Sequence, residues 1–272
     1  MSISLGFLGD LAFRGYDAYT HYAAPLNSDD YIKKYVATIN NALDLMLSLN
    51  SLDENQLRQG TLGLLQSAAQ VVEAYHASPS IRIISNVMVP RKASDALVTS
   101  SRFCDTNRRA DSFAGFLELT MWSDQADQRL PLDVVLPIEP QHLMGDCLCG
   151  APLAYVSNLV QVVDDTLDYR VWSGTDGVRT QQEQYFKKHR EVLGSFVSFP
   201  VQLPNLTPQG LLLPRAVVNV QSNKRYAFGR FPNNRRKLIL LMAPFMQVLG
   251  LCLARLYARE LEPRQSNQRP IY

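Results

Sequence analysis

The chain has 272 residues, 46% of them hydrophobic and 19% charged, which suits a folded chain with a sizeable core and excludes the low-apolar, high-charge composition of disorder. Basic and acidic residues nearly balance, 27 against 25, for a net charge of +2, so no bulk field recruits nucleic acid or an anionic membrane. The four cysteines, Cys104, Cys147, Cys149 and Cys252, are too few and too unevenly placed for a disulfide framework and point to a reducing, cytoplasmic setting.

The opening MSISLGFLGDLAFRGYDAY has no basic residue before its apolar stretch, and Asp10 interrupts that stretch, so no export signal is expected. Over 28–50, Ile32, Tyr35, Val36, Ile39, Leu43 and Met46 recur at helical spacing behind a Ser28 or Asn27 cap. A second amphipathic helix is predicted over 53–77, where Asp53 and Gln56 make a capping-box start and Leu57, Thr61, Leu64, Leu65, Ala68, Val71, Val72 and Tyr75 share a face. The short link between them makes either an antiparallel hairpin or one long kinked helix.

After Ser78 the period changes. IRIISNVMV at 81–89, FAGFLELTMW at 113–122 and LDVVLPI at 132–138 read as strands. A short helix is expected at 151–156, a brief strand at 160–163, a loop at 166–179 and a polar helix at 181–192. SFVSFPVQL at 195–203 and RAVVNVQS at 215–222 are further strands, separated by a loop holding Pro204, Pro208 and Pro214. The last helix, about 234–261, carries an apolar run from Leu238 to Ala254 with Gln247 as its clearly polar side chain. The run approaches the length of a membrane span, but a buried or dimer-forming helix has the same composition, and Pro244 and Gly250 lie within it. The basic run Arg235-Arg236-Lys237 reads as a solvated helix start, since no aromatic residues interleave with it for base stacking. A polar tail follows.

Strands joined by short connections imply an antiparallel sheet with the terminal helices on one face, an α+β layout, and no phosphate-binding glycine loop argues for a nucleotide-binding parallel sheet. Three segments then carry a family resemblance. GDCLCGAPLAYVSNLVQVVDD at 145–165 resembles the glycine-x-x-glycine-small stretch, hydrophobic strand and aspartate of the GAF domain family. SFVSFPVQL is similar to that family's serine-apolar-proline strand, and RAVVNVQSNKRYAFG before a long helix is similar to its closing strand. The Asn-Val-Met of IRIISNVMV also looks like the first strand of a bacterial branch. A PAS-type sensor fold is the nearest alternative.

The resemblance implies a GAF-like sheet of five or six antiparallel strands over 80–262, preceded by a helical segment at 1–79 and followed by a tail at 263–272. It also implies a ligand cavity on the sheet face away from the helices. The ligand-facing candidates are Cys147, Cys149, Gly150, Asp164, Phe113 and Trp122; on a regular strand Phe113 and Phe116 cannot both face one side. Cofactor and ligand remain unnamed, and no metal is expected, because the segment offers two thiols where zinc or an iron–sulfur cluster needs about four soft ligands.

The function expected is a non-enzymatic bacterial sensor or regulatory module that binds a small molecule. It would signal to a partner protein in trans through a homodimer formed by its N- and C-terminal helices. If the protein is an enzyme, Cys149 is the catalytic candidate, by resemblance to the free methionine-R-sulfoxide reductases. Here the upstream partner cysteine of those enzymes is missing, which leaves Cys147 to close a strained short-loop disulfide. A ligand-free dimerisation scaffold is the third possibility.

Overall fold

The computed structural model describes residues 28–76, 80–92, 113–123, 134–140, 144, 147–168, 176–206, 213–228 and 232–261. The N-terminal stretch, Cys104, Gly145, His142 and the C-terminal tail lie outside these.

Two helices come first, α1 (Ser28–Ser48) and α2 (Glu54–His76). The turn between them ends in a reciprocal capping box: Gln56 N–H donates to Asp53 Oδ1 at 2.8 Å, and Asp53 N–H donates to Gln56 Oε1 at 3.0 Å. With the turn fixed, the helices run antiparallel, and at the far end the Tyr31 and Tyr75 rings meet edge-on at 5.9 Å. The pair is therefore a hairpin. The buried stripe of α1 is Tyr35, Thr38, Ala42, Leu45 and Met46, rotated from the predicted face, and Val36 is left 50% exposed.

Six strands follow among the described residues: β1 (Ile83–Arg91), β2 (Gly115–Trp122), β3 (Val135–Ile138), β4 (Gln161–Val163), β5 (Ser195–Gln202) and β6 (Arg215–Ser222). They form one sheet in the order β3-β2-β1-β6-β5-β4 with every neighbour antiparallel. Three prolines sit inside strands, each where the strand lacks a neighbour on one side. Pro137 is on the edge strand β3. Pro90 lies beyond the last β1–β6 pair, Met88 with Val217, and Pro200 beyond the last β4–β5 pair, Gln161 with Ser198. A missing N–H costs the ladder nothing at such positions.

Three more helices complete the described chain: α3 (Ala151–Ser157), α4 (Asp176–Lys188) and α5 (Pro232–Leu261). The helix α4 starts five residues before the Gln181 expected from sequence, inside the stretch read as loop. Its first residues, Asp176 to Thr180, give no apolar stripe to mark them as helical, which is why the stretch reads as loop.

The sheet separates two hydrophobic layers. On one face α1, α2 and α5 share a single core with Val87, Val89, Met121, Val197, Phe199 and Val218, so the N-terminal hairpin buries its apolar surface in the same core as the C-terminal helix. Phe245 of α5 is fully buried and meets Tyr35 edge-on at 5.6 Å. A side chain at Gly250 would place its Cβ 2.5 Å from the Gln202 carbonyl oxygen, so α5 crosses the end of β5 at backbone contact. The segment Arg235–Ala258 is long and apolar enough to cross a membrane by composition, with mean hydropathy 1.9, and 67% of it is buried against the sheet and the hairpin. Within the chain, the sheet, α1 and α2 cover most of this apolar run. On the opposite face α3 and α4 close a smaller core with Ile84, Leu117, Val163 and Val217.

Candidate functional site

Beneath α3 and α4 the sheet bounds a cavity of about 90 Å³. At roughly 10–15 Å³ per water-sized group, this holds about six to nine such groups. Its floor comes from alternate residues of the central strands. On β1 and β6, Asn86 and Asn219 stand directly opposite each other, and Ser198 of β5 is opposite Asn219 on the other side. The three side chains bond in a row: Ser198 Oγ donates to Asn219 Oδ1 at 2.6 Å, and Asn219 Nδ2 donates to Asn86 Oδ1 at 2.8 Å. All three are buried, so the row satisfies groups that would otherwise be costly inside an apolar layer. Gln221, two residues further along β6, completes the floor.

One wall depends on a fault in the sheet. Pairing slips between Val87 and Met88, which face Met121 and Leu119, so Thr120 is an extra residue on β2. Leu117 and Leu119 face the cavity layer; unbroken alternation would send Met121 there too and Trp122 to the helical side. The bulge reverses this, burying Met121 with the helices and placing Trp122 on the cavity. The indole N–H of Trp122 is buried and has no acceptor among the described residues.

The roof is the quoted segment and α4, which contribute Leu148, Cys149, Gln182, Tyr185 and Phe186. Gly150 turns the chain into α3 with φ 81° and ψ −124°, a region reserved for glycine, and its carbonyl accepts the first helical bond from Ala154 N–H at 2.8 Å. The Phe196 ring fills the space where a Cβ at Gly150 would sit. Below α3, the Tyr155 hydroxyl accepts from Leu213 N–H and donates to Leu213 carbonyl oxygen, at 2.7 and 2.9 Å, anchoring the roof to the approach of β6.

Of the six residues singled out from sequence, Trp122 and Cys149 border the cavity. Cys147 is buried in the layer beside it, and Gly150 shapes the roof from behind Phe196. Phe113 is elsewhere, in a small cluster with Phe116 and Val135. Its ring meets that of Phe116 at 5.5 Å, on the same side, because Phe113 precedes the strand and escapes its alternation. Asp164 also stands apart: its carboxylate pairs with Arg235 at the start of α5, and its carbonyl accepts from Tyr226 N–H at 2.6 Å. Partial burial raises its carboxyl above the usual range, and Arg235 opposes the rise. Asp165 is buried and pairs with Arg225 at 3.2 Å, so neither aspartate is simply solvated, and Arg235 is more than a solvated helix start.

The floor amides were missed. A signal was present in part, since Asn86 stands between Ile84 and Met88 on the cavity face of β1, and Asn219 and Gln221 follow Val217 on that of β6, where polar groups at inward positions mark either an error or a purpose.

Burial pushes the Cys149 thiol up to about 12 from its ordinary 9.0. At neutral pH it is protonated, the wrong form for a nucleophile. Iodoacetamide at pH 8 is therefore expected to modify Cys149 about a thousandfold more slowly than a free cysteine, as peptide mapping would measure. Modification at the free-cysteine rate would show a thiol open to water and available as a nucleophile. No group of three or more potential metal-ligating side chains occurs among the described residues.

The class defined by this geometry is an α+β protein with a six-stranded antiparallel sheet, three long helices on one face and a small cavity under the other. No protein-family model matches the chain, and no curated protein does. Among solved structures it is similar to a proposed GAF sensor protein from Burkholderia vietnamiensis, with TM-score 0.39, 13% identity, and 84% of this chain and 94% of that chain covered.

Proposed function

We propose that the chain is a non-enzymatic, cytoplasmic regulatory module of the GAF sensor type. It binds a small molecule and passes the bound state to a partner protein through a homodimer built on its helices. The observation that carries this reading is the partly open cavity, which the sheet divides from the helical layer and which apolar side chains and four carboxamides line.

Connections between the two layers support the second half. Leu193 and Phe196 border the cavity; Thr166 Oγ donates to the Leu193 carbonyl at 2.8 Å, and two residues earlier Asp164 pairs with Arg235 at the root of α5. A ligand that moves the 193–196 segment thus bears on α5 through few intermediates. For the dimer, Val36 and Leu47 of α1 are 50% and 70% exposed and fall on one stripe, three turns apart.

Native mass spectrometry of freshly purified protein tests both parts. A dimer carrying extra non-covalent mass is the expected result, and Val36→Glu with Leu47→Glu is expected to reduce it to a monomer that still carries the mass. A bare protein that takes up no small molecule would favour the scaffold instead, and a wild-type monomer would remove the dimer.

A further inference from the structure

The cavity contains no charged side chain among its described lining residues, yet four of its side chains are carboxamides: Asn86, Asn219 and Gln221 on the floor and Gln182 on the roof. We infer that it selects an uncharged, ring-bearing molecule with an amide edge, a carbonyl beside an N–H, and rejects carboxylates, phosphates and ammonium groups. The inference rests on reading the cavity as a ligand site and adds the chemical class of the ligand.

Charge decides the first half. An ion seated against this apolar lining gives up part of its water and meets no opposite charge among the described lining residues, a penalty that dipoles of neutral amides offset poorly. Phosphorylated ligands are excluded on the same ground, since no lysine or arginine is among the described lining residues.

The second half comes from hydrogen bonds left open. The Ser198–Asn219–Asn86 row has a direction, set by the serine proton, and ends with the Asn86 oxygen occupied and its NH₂ group offered. Gln221 is 6% exposed and has no side-chain hydrogen bond to any described residue. Being diagonal neighbours across the β1–β6 ladder, Asn86 and Gln221 have Cα atoms roughly 7–8 Å apart, within joint reach of one small ligand. A side-chain amide presents a donor and an acceptor together, so its full partner is another donor–acceptor edge. Around that edge Leu119, Trp122, Phe186 and Phe196 leave apolar, largely aromatic surface, which suits a ring.

The test uses the full chain and four probes with a common body: benzamide, benzoate, benzylammonium and toluene, titrated at pH 7 by ligand-observed NMR. Benzamide is expected to bind at least tenfold more tightly than each of the others. In Gln221→Met, which keeps the side-chain volume and loses the amide, that advantage over toluene is expected to fall by about tenfold with toluene binding unchanged. Benzoate or benzylammonium binding as well as benzamide would overturn the ligand class while leaving the cavity a ligand site. Toluene binding as well as benzamide would do the same. If none of the four binds, both the class and the ligand-site reading fall. The wild-type series decides these cases even if the variant does not fold.

Discussion

Gly150→Ala is expected to destabilise the protein by roughly 2–6 kcal/mol, lowering Tm on the order of 10 °C. Two costs combine. The backbone at φ 81° and ψ −124° is strained for any residue with a side chain, at about 1–3 kcal/mol. The added carbon would also lie 2.4 Å from Phe196 Cε2 and 2.9 Å from Cζ, so the ring must move, at about 1–3 kcal/mol more. Phe196 stacks on Phe186 at 6.2 Å and borders the cavity, so displacement of the ring is paid for in ligand space. The variant should therefore bind any ligand more weakly as well as melt earlier. Gly63→Ala is the matched control: on α2 nothing lies within 4 Å of the added carbon, and helix propensity predicts a gain of up to about 1 kcal/mol. Thermal and urea unfolding of the pair measures both signs, and equal stability of wild type and Gly150→Ala would refute the geometry of the turn.

Stability is also expected to fall steeply above pH 9. Burial raises the thiols of Cys149 and Cys252 from 9.0 to about 12, and the Tyr35 phenol from 10.0 to about 12. The Thr61 side chain, bonded to Cys252, pulls its thiol back only in part. Each folded value lies above the unfolded one, so the unfolded chain releases its protons first. The stabilisation is complete below pH 9 and is lost as pH rises toward 12. At pH 11 the two thiols together account for a loss on the order of 5 kcal/mol, comparable with the whole stability of an ordinary domain. Urea midpoints at pH 7, 9 and 11 would show it, and Cys252→Ala should flatten the slope by about half. An unchanged midpoint at pH 11 would mean that these groups are open to water.

The helices and most strands were legible because their signals are local. The stripe of α2, the capping box at Asp53 and Gln56, and β6 at 215–222 lie where periodicity placed them. The candidate site was legible only in part, because it is assembled by register. Alternation marks Asn86 as polar at an inward position, but what it meets is set only when β6 brings Asn219 beside it, 133 residues later in the chain. Trp122 was singled out, but its inward aim depends on a one-residue slip at Thr120 that no alternation rule anticipates. Asp164 was read as a ligand-facing group through the family resemblance of the 145–165 segment, which ends in an aspartate after a hydrophobic strand. Its partner, Arg235, stands 71 residues away, and the pairing exists only in the folded chain.

The strand order also sets a schedule for synthesis. The first and last strands of the sheet, β1 and β6, are its two middle members, so the sheet is completed by its final strand. A ribosome adding about 5–20 residues per second needs roughly 7–27 s to travel from Asn86 to Asn219. During that interval β1, β2 and β3 can pair with one another, but the open edge of β1 awaits β6, and the apolar side of the hairpin awaits α5, which emerges later still. Over those 133 residues the nascent chain thus carries an unpaired strand edge and an uncovered greasy face, which are the features that chaperones and misassembly compete for.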